Sequence, residues 1–221
     1  MRNLNRPFLR ETMPNGIHFT LKHTGKMKDL CSLSTSCQKN IICIERMKKG
    51  DSICAKCFAN AQLKRWKSMQ SCLEKNLDIL TSRKLTLEEI PIIYTPSNLF
   101  RFESFGDCMN ETQAINYLLI AKNNPSVSFA AWTKNTSFYI QACKKIGKPS
   151  NLQLIKSSCK INQIDKLTKS EKPFFDKVFT VYSKDFIADH NVKINCGAKS
   201  CATCRNCYEN KKTVYVNEIL K

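Results

Sequence analysis

NLFRFES at residues 98–104, ETQAINYLLIAKNN at 111–124 and SVSFAAW at 126–132 together indicate the architecture of the chain. The first and third runs are short and rich in apolar and aromatic residues, as buried strands are. The middle run has the composition of a helix and follows Asn110, a favoured N-cap residue. A strand, a helix and a second strand in this order predict two parallel strands joined by a right-handed crossover.

The same alternation continues on both sides of this segment. Downstream, TSFYIQACKKIG (136–147) predicts a helix that ends at Gly147, and two further strands are predicted at 151–157 and 177–183. Upstream, IHFTLKH (17–23) alternates like a strand, and a helix of some twenty residues is predicted from Phe58. We therefore expect a single α/β domain over residues 1–221, built as a partial or open parallel β/α barrel with cysteine-rich loops near both ends.

The composition limits the classes of partner and compartment. The 221 residues include 36 Lys and Arg against 18 Asp and Glu, which gives a net charge of +18. A surface this basic favours a nucleic acid or a phosphorylated substrate, although an AT-rich genome that favours lysine codons would give a similar composition. No run approaches the roughly 20 apolar residues of a membrane helix, so we expect a cytoplasmic protein that contacts no membrane.

Thirteen cysteines in a reducing compartment indicate metal or redox chemistry rather than disulfides. Near the end of the chain, CGAKSCATCRNCY (196–208) contains a C-x2-C-x2-C run with a fourth cysteine five positions upstream. This spacing is closer to that of ferredoxin [4Fe–4S] ligands than to paired zinc knuckles. The predicted ligands in this C-terminal cluster, residues 190–210, are Cys196, Cys201, Cys204 and Cys207. Zinc is the alternative metal.

A second group lies in the loop predicted at residues 29–57. Only Cys54 and Cys57 are tightly spaced there, so further ligands have to come from earlier in the loop. We predict Cys37 together with Cys31, and Cys43 is the alternative to Cys31. Whether the two cysteine groups form one centre or two is left open by the spacing.

Polar residues follow several of the predicted strands. Parallel α/β folds carry their chemistry at the carboxyl ends of strands, so these residues predict a cleft lined by strand tips. Ordinary loop polarity would give a similar list. The candidates are Ser104, Gly106 and Asp107 after one strand, Trp132 and Lys134 at the next, and Lys184 after the last. Trp132 could stack on a base, although packing in the core is an equal alternative, and Trp66 is expected to be a core residue.

Several short motifs occur in an order that resembles the phage gene product eighty-eight domain family. They are SC (36–37), CAKCFA (54–59), RFESFGD (101–107), P-x6-WTKN (125–135) and C-x4-C-x2-C-x2-CY (196–208). The resemblance covers roughly residues 31–208. It implies a phage or prophage protein that acts inside a bacterial cell, and it implies no particular reaction.

A wider similarity is to radical S-adenosylmethionine enzymes, whose barrels begin with a strand, a loop of three cluster cysteines, a helix and a second strand with a glycine-rich end. The order strand 17–23, cysteine loop, helix and SFGD (104–107) is similar to that arrangement. The resemblance implies a [4Fe–4S] cluster and S-adenosylmethionine held near Ser104, Gly106 and Asp107. The chain departs from the C-x3-C-x2-C motif of that family, because Gly50 stands four residues before Cys54.

Two hypotheses follow. In the first, the protein is an iron–sulfur enzyme with one or two [4Fe–4S] clusters that modifies a nucleic acid or nucleotide. Asp107 and Lys134 are then the catalytic candidates, and Trp132, Lys134 and Lys184 bind the substrate. In the second, two structural four-cysteine zinc sites stabilise a nucleic-acid-binding protein without catalysis.

Overall fold

The computed structural model describes residues 6–210 and 213–220. Its centre is a six-stranded sheet in which every strand is parallel to its neighbours and the strand order follows the chain. The strands are β1 (Cys31–Leu33), β2 (Leu99–Phe102), β3 (Ser128–Thr133), β4 (Leu152–Ser157), β5 (Lys177–Tyr182) and β6 (Tyr215–Ile219). The first and last strands are not paired to each other in the described residues, so the sheet is open.

In the described residues, seven α-helices lie between or beside the strands: α1 (Ile41–Met47), α2 (Phe58–Arg65), α3 (Lys67–Ser82), α4 (Glu111–Lys122), α5 (Thr136–Ile146), α6 (Lys184–His190) and α7 (Cys201–Cys204). Short 3-10 turns occur at Gly25–Met27, Ile53–Lys56 and Leu87–Glu89. Asn110 caps α4 as predicted, because its side chain accepts a hydrogen bond of 2.9 Å from the Gln113 backbone. The predicted open parallel α/β sheet is therefore confirmed.

The two faces of the sheet carry different cores because neighbouring side chains of a strand point to opposite sides. On one face, Phe100, Phe102 and Phe129 pack against buried residues of α3, α4 and α5 in the main hydrophobic core. On the other face, Leu99 and Ala130 pack against Tyr208, which comes from the C-terminal cysteine segment. The helices thus cover one face, and the C-terminal segment covers part of the other.

The predictions for residues 98–183 are confirmed, with boundaries shifted by a few residues. The first strand was wrong: residues 17–23 make only isolated bridges, in which Thr20 pairs with Ser32. The first strand of the sheet is β1, inside the predicted loop 29–57, which also contains α1. β1 is only three residues long and buried throughout, so its sequence shows no alternation.

The long helix predicted from Phe58 is two helices, since α2 ends and α3 begins at Trp66. Trp66 has a backbone φ of −117° and ψ of 83°, which is outside the helical region. Its side chain is 51% exposed, so the expectation that Trp66 belongs to the core was wrong. α7, which contains Cys201 and Cys204, and β6, which follows the last cysteine, were not predicted from the sequence.

Candidate functional site

The Asp107 carboxylate joins the loops that follow three successive strands. It accepts hydrogen bonds from Thr133 Oγ1 (2.6 Å) at the end of β3 and from the Lys134 backbone N–H (3.0 Å) just beyond it. Arg46 of α1, in the loop after β1, forms an ion pair with it at 3.3 Å. The backbone N–H of Cys108 donates a further hydrogen bond of 2.8 Å. Asp107 therefore fixes the carboxyl edge of the sheet, with both of its oxygens engaged.

Gly106 allows the loop after β2 to lie close to the segment after β1, because no side chain fits at its position. A Cβ atom placed there would lie 2.6 Å from both the carbonyl oxygen and Oγ1 of Thr35, and 2.7 Å from a carboxylate oxygen of Glu103. Real Cβ atoms do not approach backbone oxygens this closely. Gly106 is one of the candidates that the sequence singled out, and the chain that approaches it is the segment after β1.

Glu103 is a buried carboxyl group that the sequence did not single out. It accepts hydrogen bonds from the Thr35 backbone (3.0 Å), Thr35 Oγ1 (2.8 Å) and Gln113 Nε2 (2.7 Å), and from the hydroxyl of Tyr117. Burial raises the pKa of Glu103 to about 7, although these hydrogen bonds oppose the shift. Its backbone has a left-handed φ of 56°. Glu103 therefore ties the loop after β1 to α4 beneath the carboxyl edge.

Four cysteines lie beside this edge, in the loop between β1 and α2; we call Cys37, Cys43, Cys54 and Cys57 the carboxyl-edge cysteine group. Cys37, Cys43 and Cys57 pack in one small cluster with Leu63 and Leu73. Burial raises the pKa of Cys43, and the nearby charges of Asp107, Glu103 and Cys54 add to the shift. These four thiols therefore share one neighbourhood with the Asp107 carboxylate.

Cys37 and Cys57 are hydrogen-bonded to each other. The hydrogen bond from Cys37 lowers the pKa of Cys57 to about 6, and it raises the pKa of Cys37. The backbone N–H groups of Asn60 and Ala59, in the first turn of α2, also lower the pKa of Cys57, whereas burial opposes the shift. The lowered pKa favours the thiolate form of Cys57, which is the more nucleophilic form of the side chain.

The structure places Cys31 away from this group. Cys31 lies in β1, within the main core on the helix-covered face, and its Sγ donates to the Leu21 carbonyl at 3.4 Å. Burial raises its pKa to about 11. Cys43, which the spacing had left as the alternative to Cys31, packs with Cys37 and Cys57 instead.

The four C-terminal cysteines line one pocket of about 30 Å³ that is partly open to solvent. We call it the C-terminal cavity; its lining includes Cys196, Cys201, Cys204, Cys207, Lys26 and Tyr208. Burial raises the pKa of Cys207 to about 12, and the charges of Cys196, Cys201 and Cys204 add to that shift while Arg101 opposes it. Four thiols from a twelve-residue segment therefore line one pocket.

Lys26 joins this cavity to the last strand. Its Nζ donates to the Cys196 carbonyl at 2.8 Å and lies 3.5 Å from the Cys196 sulfur. It also forms an ion pair of 2.8 Å with Glu218 of β6. A segment that precedes β1 is thus attached to both the cavity and the far edge of the sheet.

The two cysteine groups contact different parts of the sheet. The carboxyl-edge group follows β1, whereas Arg205, beside the C-terminal cavity, donates to the carbonyl of Ser97, just before β2 begins, at 3.1 Å. Cys201 and Cys207 pack with Leu99, Ala130 and Trp132 on the face of the sheet opposite the main core. They form two separate neighbourhoods.

Between them, the face of the sheet opposite the helices carries polar residues. The Arg101 guanidinium lies 4.1 Å from the ring centroid of Trp132, and the Trp132 ring meets Tyr208 edge-on at 6.1 Å. Ser104 Oγ is hydrogen-bonded to Ser34 Oγ at 2.7 Å. Trp132 is therefore held by Arg101 and Tyr208, and Ser104 is already engaged with another strand tip.

The two predicted lysines lie at different places. Lys134 is close to the carboxyl-edge group, since its charge lowers the pKa of Cys57 alongside the larger effects already described. Lys184 begins α6 after β5 with an exposed side chain. Lys134 thus shares a neighbourhood with Asp107 and the thiols, whereas Lys184 belongs to a later strand of the sheet.

Across residues 6–210 and 213–220, no three His, Cys, Asp or Glu side chains are arranged as ligands of a single metal ion. The same ranges contain no helix that combines the length and apolarity needed to cross a bilayer. Sequence reasoning missed Arg46, Glu103 and Arg101. The sequence does not show that a single charged residue belongs to a site, because its partners come from distant parts of the chain.

A comparison with family models matches residues 2–218 to the family described as Gene product 88. No curated protein and no solved structure matches the chain.

Proposed function

We propose, from the premise that the chain belongs to the Gene product 88 family, that it is an iron–sulfur enzyme that modifies a nucleic acid or nucleotide. Its reaction centre is the carboxyl-edge cysteine group, and its chemistry is similar to that of radical S-adenosylmethionine enzymes. The observation that carries the proposal is the position of Cys37, Cys54 and Cys57 after β1, beside the tip of β2. Parallel α/β sheets place reactive groups at this edge.

The residues of the carboxyl-edge group suit an iron–sulfur centre. Cluster iron is held by thiolates, and Cys57 is shifted toward the thiolate by Cys37 and by the first turn of α2. The thiols lie among apolar side chains such as Leu63 and Leu73, which limit access of water. When bound, a cluster here would supply single electrons and an iron that can take the amino and carboxylate groups of S-adenosylmethionine.

The chain's own residues would orient the reactants. Gly106 brings the loop after β2 close to Thr35, and Asp107 holds Lys134 and Arg46 at the edge. Because the Asp107 oxygens already accept four hydrogen bonds, we assign Asp107 to positioning, whereas Lys134 contacts a phosphate or carboxylate of the substrate. Ser104, Trp132 and Lys184 remain candidates for cofactor and substrate contacts.

The C-terminal cavity is proposed to hold a second cluster. Four thiols line its walls, and the positive charges of Arg101 and Lys26 oppose the effect of burial, which raises the pKa of Cys201. Burial beside Tyr208 keeps this site away from the substrate edge. A centre of this kind would stabilise the fold of the C-terminal segment and could relay electrons to the first.

Anaerobic metal analysis tests the proposal. Protein reconstituted with iron and sulfide is expected to be brown, and Cys57→Ser and Cys204→Ser are each expected to lose about half of the bound iron. Cys72→Ser is the matched control, because Cys72 lies in α3 outside both groups. Incubation of the reduced wild-type protein with S-adenosylmethionine should release 5′-deoxyadenosine. Iron bound equally by all three variants would contradict the assignment of the ligands.

A second candidate function is supported by the position of Cys43. Because Cys43 lies with Cys37 and Cys57, four thiols could close the coordination of a structural zinc ion and leave no open position. The protein would then be a nucleic-acid-binding protein with two zinc sites. Stoichiometric zinc in a colourless protein, and loss of that zinc in Cys43→Ser, would favour this function, whereas a Cys43→Ser variant that keeps its iron favours the enzyme.

A further inference from the structure

The outer side of α2 exposes large aromatic side chains next to the carboxyl-edge group. The helix begins at Phe58, directly after Cys57, and Phe58 is 63% exposed. Trp66, which ends the helix, is 51% exposed. At 1.5 Å per residue, the two lie about 12 Å apart along the helix axis. Side chains of this size are usually buried, so their exposure calls for a partner.

The same segment carries basic residues and no acidic residues that would offset their charge. Between Asp51 and Glu74 the sequence contains no acidic residue. The cations in this interval are Lys56, Lys64, Arg65 and Lys67, and all four are exposed. None of them forms a salt bridge with any carboxylate in the part of the chain that the structure describes. Their positive charge is therefore available to an external anion.

We propose that this surface binds single-stranded nucleic acid; we call Lys56, Phe58, Lys64, Arg65, Trp66 and Lys67 the α2 surface. Bases of a single strand present their ring faces to aromatic side chains, and the phosphates between them meet cations. In a duplex the ring faces of the bases are stacked on one another, so Phe58 and Trp66 could not stack on them. An acidic protein would match the charge, but it would leave Phe58 and Trp66 without stacking partners.

The α2 surface leads to the proposed reaction centre. The N-terminal end of α2 follows Cys57, so a strand that lies along the helix reaches the carboxyl-edge group at that end. That the bound strand is also the substrate rests on the proposed function, whereas binding of the strand to the α2 surface does not. It narrows the substrate from a nucleic acid or nucleotide to a single-stranded polymer.

The experiment measures binding of fluorescein-labelled oligothymidylate and oligouridylate to the full-length protein by anisotropy. Trp66→Ala is expected to weaken binding about five- to 150-fold, as is typical for loss of one stacked base. Tyr94→Ala is the matched control, since Tyr94 is 83% exposed but lies outside the α2 surface. Stronger binding of one oligonucleotide distinguishes DNA from RNA as the natural strand.

A charge variant tests the phosphate contacts. Lys64→Gln with Arg65→Gln should reduce the slope of log K against log salt by about 1.4, because each phosphate contact on a single strand contributes about 0.7. Lys169→Gln with Lys172→Gln removes the same charge from another exposed segment and should leave the slope unchanged. Thermal unfolding should be the same for all of these variants, since the side chains are exposed.

Several results would overturn the inference. They are equal binding by Trp66→Ala and Tyr94→Ala, equal binding of duplex and single strand, and displacement of the oligonucleotide by polyglutamate at similar charge concentration. The iron content and visible absorbance of the same variants report on the proposed function separately. Oligonucleotide binding that depends on Trp66 in a protein without iron would support the α2 surface and contradict the enzyme.

Discussion

Thr133 Oγ1 lies 2.6 Å from Asp107 Oδ1, so the end of β3 is hydrogen-bonded to the loop that follows β2. This contact belongs to a set of four donors around one carboxylate that also includes the Arg46 guanidinium. The carboxyl edge of the sheet is therefore held together by a charge that is almost wholly buried. Removal of the Asp107 charge should therefore destabilise the whole edge.

Asp107→Asn should lower the free energy of unfolding by about 2 to 3 kcal/mol. The amide removes the charge that pairs with Arg46 and turns an N–H₂ group toward donors such as Thr133 or the Lys134 backbone. Urea denaturation should show a lower midpoint with an unchanged slope. Asp78→Asn is the control, because Asp78 pairs with Lys39 at an exposed position. Similar midpoints for both variants would contradict the role given to Asp107.

Gly106→Ala should destabilise the fold by about 1 to 3 kcal/mol. The new Cβ would lie 2.6 Å from the Thr35 carbonyl oxygen, and backbone has to move to relieve that overlap. Gly50→Ala is the matched control, because nothing lies within 4 Å of a Cβ at that position. Thermal melting should separate the two variants. A Gly106→Ala protein as stable as Gly50→Ala would show that the loop after β2 is less tightly packed than described.

The stability of the protein should fall as the pH rises through the range in which Glu103 titrates. Burial raises the pKa of Glu103 from its ordinary value of 4.5 to about 7 in the folded protein, so the folded state binds more protons than the unfolded state between these values. The contribution is fully present below about pH 4.5 and is lost as the pH passes about 7. Urea midpoints measured from pH 4.5 to 8 report it.

The Glu103→Gln variant isolates this contribution. Glutamine keeps an acceptor for Thr35 and Tyr117 but has no titrating proton, so its stability should vary less with pH over the same range. Other groups titrate identically in both proteins, and the difference between the two curves is the quantity of interest. Parallel curves would mean that the pKa of Glu103 is the same in the folded and unfolded states, which would contradict the shift.

Lys26→Met should loosen the C-terminal segment. The change removes the ion pair with Glu218 and the hydrogen bond to the Cys196 carbonyl, at a cost of about 1 kcal/mol for partly exposed groups. Limited proteolysis should cut more rapidly between Asn191 and Arg205 than in the wild type. Lys28→Met, at an exposed neighbouring position, is expected to leave the cleavage rate unchanged. Equal rates in both variants would remove Lys26 as the link to β6.

Removal of metal should destabilise the protein if the two cysteine groups hold clusters as proposed. Thiolates that are left near each other without a metal repel, and metal binding contributes directly to folding at such sites. A chelator added under anaerobic conditions should lower the melting temperature, and Cys204→Ser should lower it without a chelator. Cys143→Ser is a control at a buried cysteine of α5 outside both groups. Identical melting with and without chelator would argue against a metal.

The sequence predicted the middle of the fold well because β2, β3 and β4 are short apolar runs, whereas α4 begins after Asn110 and α5 ends at Gly147. β1 could not be recognised, since its three residues are all buried and contain no alternation. Trp66 was misplaced because apolar spacing continues from α2 into α3 across a break in the backbone. The spacing of apolar residues shows which residues are apolar, and it does not show where a helix is interrupted.

The candidate site was predicted in part for the same kind of reason. The cysteine spacings brought together the thiols that line the C-terminal cavity, because those residues are close in sequence. The spacing could not decide between Cys31 and Cys43, because their positions depend on the path of the chain through β1 and α1. Glu103 is defined by Thr35, Gln113 and Tyr117, whose proximity exists only in three dimensions.

The ion pair between Lys26 and Glu218 has a consequence for the order of folding. The C-terminal cavity is lined by a lysine that precedes β1 and by thiols that follow β5, and that lysine is paired with β6. Lys26 and Glu218 are 192 residues apart in the chain, so the cavity is completed only when the strands between them have assembled. A metal centre bound there, as proposed, would enter an assembled sheet rather than a partly folded chain.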